Sequence, residues 1–124
     1  KKISKNSRII AIEKNKNLYK RLKKIKDPRL KVINADVANI KNSCPSINIK
    51  ADYIISGIPF SMIKNEKKRF IIKQTSKLLA PRGKFIVYQN STSVKKYLNL
   101  EFSSVKISFI LLNIPPVFVI WALK

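Results

Sequence analysis

Short apolar runs that close on an acid or a glycine, set apart by helical or loop-like stretches, restrict this chain to one fold class. Arg8 to Glu13 reads Arg-Ile-Ile-Ala-Ile-Glu, a continuous apolar run ended by a carboxylate, which is the pattern of a strand buried on both faces of a parallel sheet. Leu30 to Asp36 repeats it, and again the last residue is an acid. A third run, Ala51 to Ser56, enters Gly57-Ile58-Pro59-Phe60, where glycine and proline stop regular structure. A fourth, Lys84 to Tyr88, follows the turn Pro81-Arg82-Gly83.

The intervening segments carry helical spacing. Asn15 to Lys26 places Leu18, Leu22 and Ile25 at i, i+4 and i+7 among Lys and Arg, which predicts an amphipathic helix with a basic outer face, ended by Asp27-Pro28. Ser43, Pro45, Ser46 and Asn48 mark a loop. Asn65 is placed to cap a helix from Glu66 to Leu79 whose Phe70, Ile71, Gln74, Leu78 face is mostly apolar, and a short helix is expected across Ser93 to Leu98. Val105, Ile107 and Phe109 alternate with Lys106 and Ser108, and Val117 to Trp121 returns after Asn113-Ile-Pro-Pro116, which predicts an antiparallel edge pair. The result is one α/β domain over 1–124, its sheet parallel apart from the last pair.

Apolar residues continue from Phe109 to Leu123, but Asn113, Pro115 and Pro116 interrupt them, and a spanning helix needs roughly 20 uninterrupted residues. Two strands around a proline turn account for the stretch better. With no His in the chain, a Ser-His-Asp or Cys-His nucleophile is excluded, and no metal site is expected. The single cysteine, Cys44, has no partner thiol, which fits a reducing, cytoplasmic setting. Lys and Arg number 27 against 6 Asp and Glu, a net charge of +21, so polyanions are the expected partners. Nucleic acid and anionic lipid both present phosphate in arrays; a Lys-, Asn- and Ile-rich composition is the plainer source of the same charge.

Ligands of such sheets collect at the carboxyl ends of the strands, and Glu13 and Asp36 both stand there. Each can equally cap the helix that follows and favour its dipole. One nucleoside would employ both: Glu13 accepting hydrogen bonds from a ribose diol, Asp36 from an exocyclic amine. Ser56 to Phe60 would then border the reacting centre, with Gly57 allowing close approach and Phe60 offering an apolar or aromatic wall. A plain tight turn is the simpler reading of the same residues.

These strand ends, in this order, resemble the class I S-adenosylmethionine-dependent methyltransferases. Glu13, Asp36, Ser56 to Phe60 and Leu79-Ala-Pro-Arg-Gly83 fall in family order across essentially the whole chain. Ile55-Ser-Gly-Ile-Pro-Phe60 looks like an element of the phospholipid N-methyltransferases, and so does Leu112-Asn-Ile-Pro-Pro-Val117. The related rRNA adenine dimethyltransferases usually carry an Asn where Gly57 stands, and a residue without a side chain cannot orient an adenine amine in that way. The resemblance implies a Rossmann-like sheet and S-adenosylmethionine as cofactor, held by Glu13, Lys14, Asp36, Val37 and Ser56. It makes Ser56, Gly57, Ile58, Pro59 and Phe60 the catalytic segment. A phospholipid head-group amine is the leading acceptor and RNA the alternative, with the protein peripheral at the inner membrane face.

An alkyl amine, once deprotonated, is already a good nucleophile and needs mainly alignment. Tyr53, Tyr88 and Trp121 could offer aromatic faces to a methylated ammonium, although core or sheet-face packing is the more ordinary role for them. The family's first strand and its glycine-rich loop are missing, since the only glycines are Gly57 and Gly83. In the family's strand order, 3-2-1-4-5-7-6, the missing strand is the central one. The expectation is therefore an N-terminally truncated domain, marginally folded and inactive if these residues are all there is, and an active methyltransferase if an upstream segment supplies the strand and loop, with a remnant that binds RNA or anionic membrane as the non-catalytic alternative.

Overall fold

The structure, a computed structural model, describes residues 3–39 and 50–124. Contacts divide the chain into two compact units, Lys1–Ile47 and Asn48–Lys124, each with its own sheet. Cys44 and the loop expected from Ser43 to Asn48 lie outside the described residues.

In the first unit, β1 (Ile9–Glu13) and β2 (Leu30–Asn34) pair in parallel, with Ile9 opposite Leu30 and Glu13 opposite Asn34. The helix between them, α1 (Lys16–Leu22), packs on both strands. It is shorter than the spacing predicts. Asn15 is its cap, the Oδ1 accepting from Asn17 N at 2.9 Å and Leu18 N at 3.2 Å, and the chain leaves the helix at Lys23. No residue of α1 is buried, and Leu18 and Ile25 are 45% and 53% exposed. With a single two-stranded sheet beneath it, the unit has too little apolar surface to cover a three-turn helix.

The second unit holds the core. Its strands are β3 (Ala51–Ser56), β4 (Leu79–Gln89), β5 (Ser104–Ile110) and β6 (Val117–Leu123), hydrogen-bonded in the order β3-β4-β6-β5. β3 and β4 are parallel, and β6 runs antiparallel to both of its neighbours. The last hairpin is the antiparallel edge pair that its alternation predicts, with β5 outermost and β6 against β4, so that β5 runs in the direction of β4. The Pro81-Arg82-Gly83 turn survives as an excursion inside β4, where Arg82 has φ 64° and the register moves from Ala51–Leu79 to Tyr53–Lys84.

Helices α2 (Asn65–Leu78) and α3 (Lys95–Leu98) contact each other, and α2 contacts β4. The inward face of α2 is Lys68, Ile71, Ile72, Thr75 and Ser76, whereas Phe70, on the face that reads as mostly apolar, is 48% exposed. The helix begins at Asn65 itself; Lys64 occupies the cap position and makes no side-chain cap bond. Ile72, Leu79, Phe85, Val87, Leu98 and Ile120 are fully buried, and the Phe85 and Phe102 rings stack at 6.0 Å. Lys68 joins this core because its ammonium lies 5.1 Å from the centre of the Tyr97 ring, which supplies a cation–π partner for a charge otherwise costly to bury.

Among the described residues, the ladders β2–β1 and β3–β4–β6–β5 provide every pairing of the order 3-2-1-4-5-7-6 except the two made by its strand 1. Among the described residues, β1 and β3 each have one paired edge.

Candidate functional site

At the carboxyl end of the first sheet, the two turns after β1 and β2 are tied to one another. Ala35 N donates to Glu13 O at 3.2 Å, and Asn34 Nδ2 donates to Glu13 O at 2.8 Å and to Lys14 O at 3.1 Å. The Glu13 carboxylate accepts from Asn15 N at 2.7 Å, so one of its oxygens shapes the entry to α1. A carboxylate offers about four lone-pair sites, which leaves Glu13 capacity for outside donors. Asp36 accepts from Ala38 N at 3.0 Å, in the short 3₁₀ turn Val37–Asn39 that follows it, and pairs with Lys14 Nζ at 3.2 Å. The Lys14 side chain is 75% exposed, so this pair is weak and opens readily. Parallel register thus brings Glu13, Lys14, Asp36 and Val37 to one end of one sheet; Asp36 also caps the short turn that follows it, whereas the cap of α1 is Asn15 and not Glu13.

Ser56 to Phe60 lies in the second unit, at the carboxyl end of β3. Ser56 is buried and its Oγ accepts from Ile58 N at 3.2 Å, closing a tight turn through Gly57. Phe60 is fully buried and starts a 3₁₀ turn, Phe60–Met62; it anchors the segment in the core and presents no wall to a substrate. The small residue at 57 has a specific neighbour as its reason. A Cβ there would meet Tyr88 Oη at 2.6 Å and Cζ at 2.8 Å, and the glycine φ is not positive.

Sequence reasoning missed what the end of β4 does. Tyr88 and Gln89 project to opposite faces of the sheet and hold the turn from both. Gln89 is buried; its Oε1 accepts from Phe60 N at 3.2 Å and its Nε2 donates to Ser91 O at 2.5 Å. Tyr88 is half-exposed with its hydroxyl against Gly57. Tyr53, Tyr88 and Trp121, the three aromatics suggested for an ammonium, are all exposed, and the register of β3, β4 and β6 puts them on one sheet face. The available signal was the tyrosine that follows the apolar run Phe85-Ile-Val87 one residue before the end of β4.

No family model and no curated protein sequence matches the chain. Solved structures do. The N-methyltransferase NodS from Bradyrhizobium japonicum WM9 aligns with a TM-score of 0.76 at 13% identity, over 94% of this chain and 73% of that one. The fold is that of the class I methyltransferases. NodS in complex with S-adenosyl-L-homocysteine aligns with a TM-score of 0.73 at 13% identity, over 94% of this chain and 66% of that one. A precorrin-6y C5,15-methyltransferase from Geobacter metallireducens GS-15 aligns at 0.70 and 18% identity, over 96% and 69%.

Within this methyltransferase fold, the tips of β1 and β2 supply acceptors for hydroxyl and amine donors, and the β3–β4 end supplies a tight turn edged by a phenol. Two carboxylate acceptors at neighbouring strand tips are what the hydroxyls and amine of a nucleoside would require. The glycine turn that the resemblance expects before β1 is not among the 124 residues. Among the described residues, no helix is long and apolar enough to cross a membrane.

Proposed function

We propose that the full-length protein carries out S-adenosylmethionine-dependent methyl transfer to an amine, and that the acceptor is the head-group amine of a phospholipid. The observation that carries the reading is the pair of carboxylates, Glu13 and Asp36, on adjacent tips of two parallel strands in a methyltransferase fold. Glu13 would hold the ribose hydroxyls and Asp36 the adenine amine, with Lys14 and Val37 flanking them. The likeness in fold to an N-methyltransferase, and to the same enzyme with the demethylated cofactor bound, is in keeping with such chemistry.

S-adenosylmethionine supplies a methyl group on a positively charged sulfur, so the acceptor needs an unprotonated nitrogen aligned with that bond. The chain's net charge of +21 disfavours a protonated amine nearby and so favours the free base. Ser56 to Phe60 would position that nitrogen. A lipid amine is favoured over adenine because Gly57 has no side chain to grip a planar aromatic amine, and its vacant side is taken by Tyr88.

Two measurements on the full-length protein test the reading. Calorimetric titration with S-adenosylmethionine should give saturable binding that Glu13→Ala and Asp36→Ala each weaken at least tenfold. Radiolabelled methyl groups should enter a lipid extract and not ribosomal RNA. Label in RNA alone would reassign the acceptor, and indifference of every property to both acid substitutions would favour the non-catalytic binding role.

A further inference from the structure

From Ile107 to Leu123 the chain has no charged side chain, although Lys and Arg make up 27 of its 124 residues. This stretch is the β5–β6 hairpin. The last paired residues are Ile110 and Val117, so residues 111–116 project beyond the sheet as a tip. Leu112 and Ile114 are 95% and 96% exposed and Leu111 68%, and Phe109 and Ile110 continue the apolar surface down the hairpin. The Phe109 and Phe118 rings, 4.8 Å apart, brace its base, and Asn113 Nδ2 donates to Pro115 O at 2.9 Å across the tip. Aliphatic side chains this exposed and this contiguous mark an interaction surface, because water solvates them at a cost that nothing within the fold offsets.

The rest of the second unit is strongly basic: residues 48–124 contain 13 Lys or Arg and only three acids, Asp52, Glu66 and Glu101. An uncharged apolar tip on a cationic body is the combination that an anionic bilayer accepts, with lysines attracted to lipid phosphates and the tip entering the boundary between head groups and acyl chains. We propose that the β5–β6 tip, through Leu111, Leu112 and Ile114, inserts into the interface of an anionic lipid membrane. Nucleic acid is the weaker occupant, since single-stranded bases need aromatic faces to stack on and the tip has none. The proposal deepens the lipid-amine reading, but membrane docking is measured without turnover, so each can fail without the other.

The test is co-sedimentation of the full-length protein with vesicles of phosphatidylglycerol and phosphatidylcholine, with pure phosphatidylcholine vesicles and single-stranded RNA as parallel arms. Leu112→Asp combined with Ile114→Asp should cut partition onto the anionic vesicles at least tenfold and leave RNA binding and the melting temperature unchanged. Leu112→Trp should strengthen partition several-fold, a gain that misfolding cannot imitate. Undiminished vesicle binding by the double variant, or no binding by the parent, would overturn the proposal. So would a proportional loss of RNA binding, or a lipid-free dimer that the double variant dissolves, which would assign the tip to RNA or to a second copy of the chain.

Discussion

Gly57 is required by what lies beside it. The phenol of Tyr88 fills the place of its Cβ, and the atom in the way is the far end of a half-exposed side chain that can move. Gly57→Ala should therefore lower stability by only about 1 kcal/mol, the ordinary size of a single substitution, while displacing the ring. In a Tyr88→Leu background the same change should become neutral. Thermal unfolding of the two single variants and the double variant measures this coupling, expected at roughly 0.5 kcal/mol or more. A second residue-scale pair is Asp27 with Arg29: Nη2 and Nε donate to the carboxylate at 2.6 Å and 3.0 Å, and Arg29 N adds a bond at 2.9 Å. Hydrogen bonding from the guanidinium draws the Asp27 pKa down from 3.8 to about 2. A depressed folded pKa means the stabilisation is complete above pH 3.8 and is lost as pH falls towards 2. Asp27→Asn should remove that part of the acid dependence, as an acid titration followed by circular dichroism would report.

At the scale of elements, the strands were largely legible and the helix faces were not. Ala51–Ser56 is the strand that its apolar run predicts, because a strand's identity is set by local β-branched content and by the glycine and proline that end it. For α2, both Phe70, Ile71, Gln74, Leu78 and Lys68, Ile71, Ile72, Thr75 satisfy helical spacing, and only the neighbouring sheet and Tyr97 select the second. The difference is measurable. Ile72→Ala should cost about 2–5 kcal/mol, the range for emptying a packed core site, whereas Phe70→Ala should change stability by no more than about 0.5 kcal/mol. Denaturant unfolding of the two variants checks this; equal losses would mean that α2 packs by the face its hydropathy suggests.

For the molecule as a whole, charge and topology act separately. A net charge of +21 on 124 residues opposes compaction through self-repulsion, which salt screens over about 10 Å at 0.1 M. The melting temperature should accordingly rise between about 10 mM and 300 mM sodium chloride, and rise further with sulfate, which is excluded from the protein surface. A flat response would mean that the lysines are spread too far apart to interact. Of the site, the strand-end positions of Glu13 and Asp36 were readable because parallel strands place successive acids at one end. The clamp of Tyr88 and Gln89 on the turn after β3 was not, since it joins residues some thirty positions apart in sequence.

What the sequence alone determined is the order of strands and helices, the acids that close β1 and precede the 3₁₀ turn after β2, and the basic character of the surface. These follow from neighbouring residues, composition and the periods of strand and helix. Only the tertiary structure decided that Phe60 is an anchor, that Tyr88 occupies the space Gly57 leaves, and that the Leu111–Ile114 tip is bare. Each of these depends on which surfaces meet or remain unmet, and no local pattern records that.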